Sequence, residues 1–95
     1  MITAIVMVAV EVDRIPEVAQ EIADLPGVSE VYSVTGDADL VAMVRVRQHD
    51  DLADVIAGRL NKVAGVLSTT THIAFRAYSR HDLEAAFALG LEDGV

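Results

Sequence analysis

Apolar residues recur along this chain with two different periods, and the points where the period changes mark its elements. From Ile2 to Val12 only Thr3 and Glu11 are polar, and Val and Ile dominate, which predicts a strand. The run lacks the apolar–polar alternation of a half-wet strand, so both faces are expected to lie against something dry. Asp13-Arg14-Ile15-Pro16-Glu17 has the form of a helix start, with a capping Asp, a Pro in the first turn and an acid beside it. Ile15, Val18, Ala19, Ile22 and Ala23 follow at helical spacing as one apolar stripe, ended by Pro26-Gly27. Val28 to Thr35 predicts a second strand, Gly36-Asp37-Ala38-Asp39 a tight turn, and Leu40 to Arg47 a third strand. Asp50 and Asp51 open a second helix with the stripe Leu52, Val55, Ile56, Leu60 and Val63. Gly65 breaks it, and Val66 to Tyr78 reads as a long last strand.

The order repeats. A shift of 38 residues, the separation of Gly27 from Gly65, places Val28 on Val66, Ile22 on Leu60, Val18 on Ile56, Asp13 on Asp51, and Val6 and Val8 on Val44 and Val46. Each half is therefore strand, helix, strand. Two such halves joined by a tight hairpin make βαββαβ, the α+β ferredoxin-like plan. Right-handed crossovers then put both helices on one face of a four-stranded antiparallel sheet.

The other face is left without a cover. Leu40, Ala42, Val44 and Val46 share one side of the third strand, so Val41 and Met43 look the other way, with Arg45 and Arg47 continuing their row. An exposed apolar sheet of several hundred Å² is an interaction surface. Packing of two sheets in a homodimer is the economical way to bury it. Ser79-Arg80-His81-Asp82 has the form of a capping box ahead of Leu83, Ala86, Phe87 and Leu91, which predicts a short C-terminal helix. That helix is too short to be stable alone, and either folds back over the open sheet or docks on a neighbouring subunit.

Composition sharpens this picture. Of 95 residues, 53% are apolar, which excludes disorder and adds to the case for association. Fifteen acidic against seven basic residues give a net charge of −8, the wrong sign for a phosphate backbone or an anionic bilayer. Aromatics are only 4% and Trp is absent, so a base-stacking platform is not expected. The absence of Cys removes disulfides, thiolate metal sites and thiol nucleophiles. The run from Met1 to Val10 is too short to span a bilayer and carries no secretory leader pattern, so a cytoplasmic protein is expected.

Candidate chemistry is sparse. His49, His72 and His81 form no i, i+4 pair and no carboxylate completes a metal-ligand spacing, so neither a metal nor another cofactor is expected. Asp37 and Asp39 are paired carboxylates on a turn, although Asp and Gly are ordinary turn formers. Ser68-Thr69-Thr70-Thr71 is a hydroxyl cluster at the start of the last strand. Thr is simply a good strand residue, but such hydroxyls beside free backbone groups also suit a small zwitterion. Gly36 has no phosphate-loop context, and no Ser/His/Asp signature is present.

Three stretches carry a resemblance. Leu25-Pro26-Gly27-Val28, Val34-Thr35-Gly36-Asp37-Ala38-Asp39-Leu40 and Gly65-Val66-Leu67-Ser68-Thr69-Thr70-Thr71 occur in an order and at separations similar to the effector domain of Lrp/AsnC regulators. This module is also called the regulation-of-amino-acid-metabolism (RAM) domain. The resemblance runs over roughly Ile2 to Tyr78, so residues 1–78 are expected to form the effector-binding domain and 79–95 a helical extension. It implies the same βαββαβ fold. Full-length relatives carry an N-terminal helix-turn-helix, and this chain starts at the first effector-domain strand. The resemblance therefore implies a stand-alone version without direct nucleic-acid binding, able to co-assemble with a full-length regulator. It implies sheet-to-sheet dimers that assemble into rings such as octamers, with amino-acid effectors in clefts between dimers. Carried over by position, Thr35, Gly36, Asp37, Ala38, Asp39 and Leu40 would supply backbone groups, and the Asp39 carboxylate would take the effector's ammonium. Thr69, Thr70 and Thr71 would approach from the other side or from a neighbouring chain. Ala38 stands where relatives often carry a larger aromatic residue, which leaves room for a bulkier ligand or weakens binding.

The expected function is thus a small-molecule-binding regulatory module and not an enzyme. Two alternatives stand beside it: a purely structural oligomerisation module with an empty cleft, and a small dimeric ferredoxin-like monooxygenase or isomerase. The enzyme reading needs a polar pocket between sheet and helices, and the inward positions are almost all aliphatic, with Tyr32 and Tyr78 the only phenols.

Overall fold

A computed structural model describes residues 1–80. The elements run β1 (Ile2–Val10), α1 (Ile15–Ala23), β2 (Val28–Ser33), β3 (Leu40–Val46), α2 (His49–Ile56) and β4 (Val66–Ala74). The four strands form one antiparallel sheet in the order β2-β3-β1-β4, with both helices on one face. This is the ferredoxin-like βαββαβ fold expected from the repeat.

Alternation decides which face is dry. Ala4, Val6, Val8 and Val10 of β1 and Leu40, Ala42, Val44 and Val46 of β3 are buried under the helices. Val18 and Ile22 of α1 and Leu52, Val55 and Ile56 of α2 close over them. Among the described residues the buried set contains no polar or charged side chain. The layer between sheet and helices is aliphatic packing.

The two halves pack reciprocally through their paired glycines. Gly27, after α1, has φ +93°, and a Cβ there would stand 2.7 Å from a Val55 methyl of α2. Gly65, after α2, has φ +100°, and a Cβ there would stand 2.7 Å from a Val18 methyl of α1. Each helix thus lies over the glycine that follows the other, and a left-handed backbone supplies the exit that a side chain would block.

Several boundaries differ from the sequence reading. β1 ends at Val10, and Val12–Arg14 forms a 3-10 turn, so Asp13 does not cap α1, which makes no side-chain cap hydrogen bond. α2 stops at Ile56, well before Gly65, because the amides of Ala57 and Gly58 both converge on the Ala53 carbonyl and close the last turn. Leu60 and Val63 still reach the core, from a 3-10 turn at Leu60–Lys62 and the residue after it. β4 ends at Ala74, not Tyr78. Ala74 pairs with Thr3, and β1 begins only one residue earlier, so no partner strand is left for residues 75–78. The short C-terminal helix expected after Tyr78 falls on residues 81–95, which lie outside the described residues.

Candidate functional site

Where β3 begins at Leu40, opposite Val8, the last residues of β1 lose their β3 partner. The turn between β2 and β3 takes over that edge. The Asp39 N–H donates to the Val8 carbonyl at 2.9 Å, and the Val34 N–H donates to the Asp39 carbonyl at 3.1 Å. The Asp39 carboxylate accepts the Val10 N–H through Oδ2 at 2.8 Å, in a half-buried position. The β1–β4 register shifts between Ala9 and Val10, where Leu67 is the extra residue of β4.

These features frame an open cleft of about 370 Å³ on the helix-free face. Its floor is Met7 and Ala9 of β1 beside Thr70 and Ser68 of β4, which face each other in register. Its wall is Thr35, Asp37 and Ala38 of the turn. Gly36 lies at the bend with φ +107° and open space where a Cβ would be. Among the described residues the backbone amides of Thr35, Gly36, Asp37 and Ala38 make no hydrogen bond within the chain. A run of free amides around a positive-φ glycine is a donor set for an anionic group. The exposed Asp37 carboxylate beside it is an acceptor, so the cleft offers both halves of what a zwitterion needs.

The structure therefore gathers some of the candidate residues and separates others. Thr35, Asp37, Ala38 and Thr70 line the cleft, and Gly36 lies in the turn between Thr35 and Asp37. Thr69 and Thr71 pair with Val8 and Val6, whose side chains are buried under the helices, so they sit on the opposite face of β4 from Thr70. Thr69 donates its hydroxyl to Asn61 Oδ1 at 2.7 Å. The Leu40 side chain is fully buried in the core. One Asp39 oxygen is engaged by Val10, which makes this residue a fastening of the wall. Met7 and Ala9 are not among the sequence-based candidates, and Ser68 is there only as a member of the hydroxyl cluster, outside the residues carried over by resemblance. Their signal was there in the two-residue period: Met7 and Ala9 alternate with Val6, Val8 and Val10, and Ser68 shares Thr70's face.

The other end of the same open face holds a second cleft of about 520 Å³, lined by Ile5, Met43 and Arg45 among others. The Arg45 guanidinium is tied to Glu30 at 2.6 Å, and Arg76 lines the same cleft beside Phe75. Ile5, Met7, Val41 and Met43, all half-buried, form an apolar strip that reaches from one cleft to the other. His49 and His72 are exposed, and His81 lies outside the described residues. Among the described residues no group of three or more His, Asp or Glu is arranged to hold a metal ion, and no helix is long and apolar enough to cross a membrane.

The antiparallel ferredoxin-like sheet keeps one face open, with the β2–β3 turn at one end of it. Residues 3–83 match the model of the Lrp/AsnC ligand binding domain, and the chain belongs to this family. The uncharacterized HTH-type transcriptional regulator PH1916 of Pyrococcus horikoshii is 37% identical over 59 residues, 62% of this chain and 39% of that protein. The crystal structure of TTHA0845 from Thermus thermophilus is 46% identical, covers 84% of this chain and 100% of its own, and superposes with a TM-score of 0.79. E. coli AsnC, 20% identical over 82% of this chain and 53% of its own, shares the fold with a TM-score of 0.76. The chain spans about two-fifths of the length of the first curated regulators it matches. Its relatives are transcriptional regulators, and the module is their regulatory, effector-binding type.

Proposed function

We propose that this domain binds an amino acid in the cleft between the β2–β3 turn and the β1–β4 floor, and that occupancy is read through assembly of the chain. The observation that carries the reading is the meeting of four free turn amides with the Asp37 carboxylate at one end of an open sheet face. The ammonium goes to Asp37, and the effector's carboxylate to the turn amides and the hydroxyls of Thr35, Ser68 and Thr70. Asp39 and the Val10 amide hold the wall in place. The apolar strip of Ile5, Met7, Val41 and Met43 packs against a second copy, and a ring such as an octamer forms from the dimers. Because the cleft opens onto that strip, a ligand that favours one packing shifts the assembly equilibrium. A full-length Lrp/AsnC-type regulator is the partner through which such a shift reaches DNA.

A thermal-unfolding screen against the twenty amino acids tests this. A ligand at about 100 times its Kd adds roughly 2.7 kcal/mol per site. Stabilisation by at least one amino acid, accompanied by a change of mass in solution, is the expected result. No shift at millimolar concentration would sink the reading.

A further inference from the structure

The cleft at the end of the open face away from the β2–β3 turn and the C-terminal segment of the chain have complementary chemistry. We propose that residues 81–95 of one copy dock in this cleft on a second copy, between Thr3, Ile5 and Met43, so that paired chains exchange their C-terminal segments. The inference rests on the meeting of two open faces put forward above, and adds to it what seats at the edge of that contact.

The cleft, of about 520 Å³, has Ile5 and Met43 as an apolar floor and Arg76 on its rim, and among the described residues no acid lines it. Arg45 is tied to Glu30, whereas Arg76 makes no ion pair among the described residues. Residues 81–95 offer the converse. They hold Leu83, Phe87, Leu89 and Leu91, four of the chain's fifteen acids, and none of its seven Lys and Arg. The match to the Lrp/AsnC ligand binding domain stops at residue 83, so most of this segment is additional to the shared domain. Apolar anchors on the floor and a carboxylate on the unpaired guanidinium at the rim serve both surfaces at once.

The path out of β4 favours the second copy's cleft over the chain's own. Every residue from Thr71 to Arg80 is exposed. Phe75 and Tyr78, 99% and 85% exposed, pass the rim of their own cleft without finding cover on their own sheet. Large exposed aromatics beside a cleft mark an interaction surface. Two open faces brought together set that exposed path against the other copy, which covers Phe75 and Tyr78 as it receives the segment beyond them.

Because the chain has no Cys, cysteine cross-linking reads the exchange directly. Full-length chains carrying Thr3→Cys are co-expressed with full-length chains of a different tag mass carrying Ala88→Cys, and oxidised. A mixed disulfide between the two chains is expected, well in excess of that formed when Asp54→Cys on α2 replaces Thr3→Cys. No excess over that control would overturn the proposal. So would a bond that closes only within one chain carrying both Thr3→Cys and Ala88→Cys, since the segment then serves its own sheet. Sedimentation gives an independent reading. Phe87→Asp is expected to weaken self-association by at least about 10-fold, the scale of a lost aromatic anchor, and Arg76→Glu to weaken it in the same direction. Parent-like association in both variants would refute the docking. A parent chain that stays monomeric would remove this inference together with the assembly reading, whereas a parent dimer without the mixed disulfide would remove this inference alone.

Discussion

The Asp39 carboxylate accepts the Val10 N–H at 2.8 Å, and this contact fastens the β2–β3 turn to the end of β1. The β3 pairing does not extend that far, so without Asp39 the Val10 amide would lose its neighbour on that edge. Hydrogen bonds to a charged group contribute about 1.5–3 kcal/mol. Asp39→Ala is expected to lower the unfolding free energy by about that amount in urea denaturation, and Asp39→Asn, which keeps an oxygen acceptor, by less. Parent-like midpoints for both variants would show that the contact contributes nothing.

The glycines at 27, 36 and 65 all have positive φ but differ in surroundings. Ala at any of them adds about 1–2 kcal/mol of left-handed backbone strain. At Gly65 and Gly27 the new Cβ also meets a methyl of Val18 or Val55 at 2.7 Å, and Val18 is fully buried with nowhere to move. Gly65→Ala and Gly27→Ala are therefore expected to melt well below Gly36→Ala, for which nothing lies within 4 Å of the new atom. A kilocalorie moves the melting temperature of a domain this size by roughly 4–8 °C, so differential scanning calorimetry separates the two classes.

Leu60 and Leu67 test the burial that follows the early end of α2. Leu60 is wholly buried although it lies outside the helix, while Leu67 is 66% exposed in the β-bulge. Leu60→Ala is expected to cost about 2–5 kcal/mol. Leu67→Ala should stay within about 0.5 kcal/mol in the monomer. Equal costs in chemical denaturation would contradict the arrangement of residues 57–67.

The open face makes a prediction about mass. Met43 is half-buried in the middle of the apolar strip, paired with Ile5 and flanked by Glu30 on β2. Met43→Asp places an acid in a surface proposed to become dry on association, and is expected to lower the mass seen in sedimentation while the fold's circular dichroism is kept. The Arg45–Glu30 pair is about 40% exposed on each side, so breaking it with Glu30→Ala should cost less than about 1 kcal/mol of monomer stability. An unchanged mass in Met43→Asp would remove this strip as the assembly surface.

Local pattern was sufficient for the plan of this protein. The two-residue period in β1 and β3, the helical stripes through Val18, Ile22, Leu52 and Val55, and the spacing of Gly27 and Gly65 each report a preference of the chain within a few residues. Together they determined βαββαβ, the dry face and the open face. The turn carrying Gly36 and Asp37 was legible for the same reason, since a tight turn leaves its mark in the residues that form it. What lay outside that reach were features decided by residues distant in sequence. β4 ends where β1 offers no further partner, a limit not written in Tyr78. The division of Ser68, Thr70 and the other threonines between two faces depends on pairing with β1, because shifting a strand by one residue exchanges its faces. Asp39 looked like a free carboxylate until Val10, 29 residues earlier, was brought beside it. Met7 and Ala9 became the floor of a cleft only when β4 closed alongside. Elements and faces could be read from the chain because they follow from neighbours a few residues away. Which groups remain available to a ligand is settled only in the folded molecule, because availability depends on what the rest of the fold has already engaged.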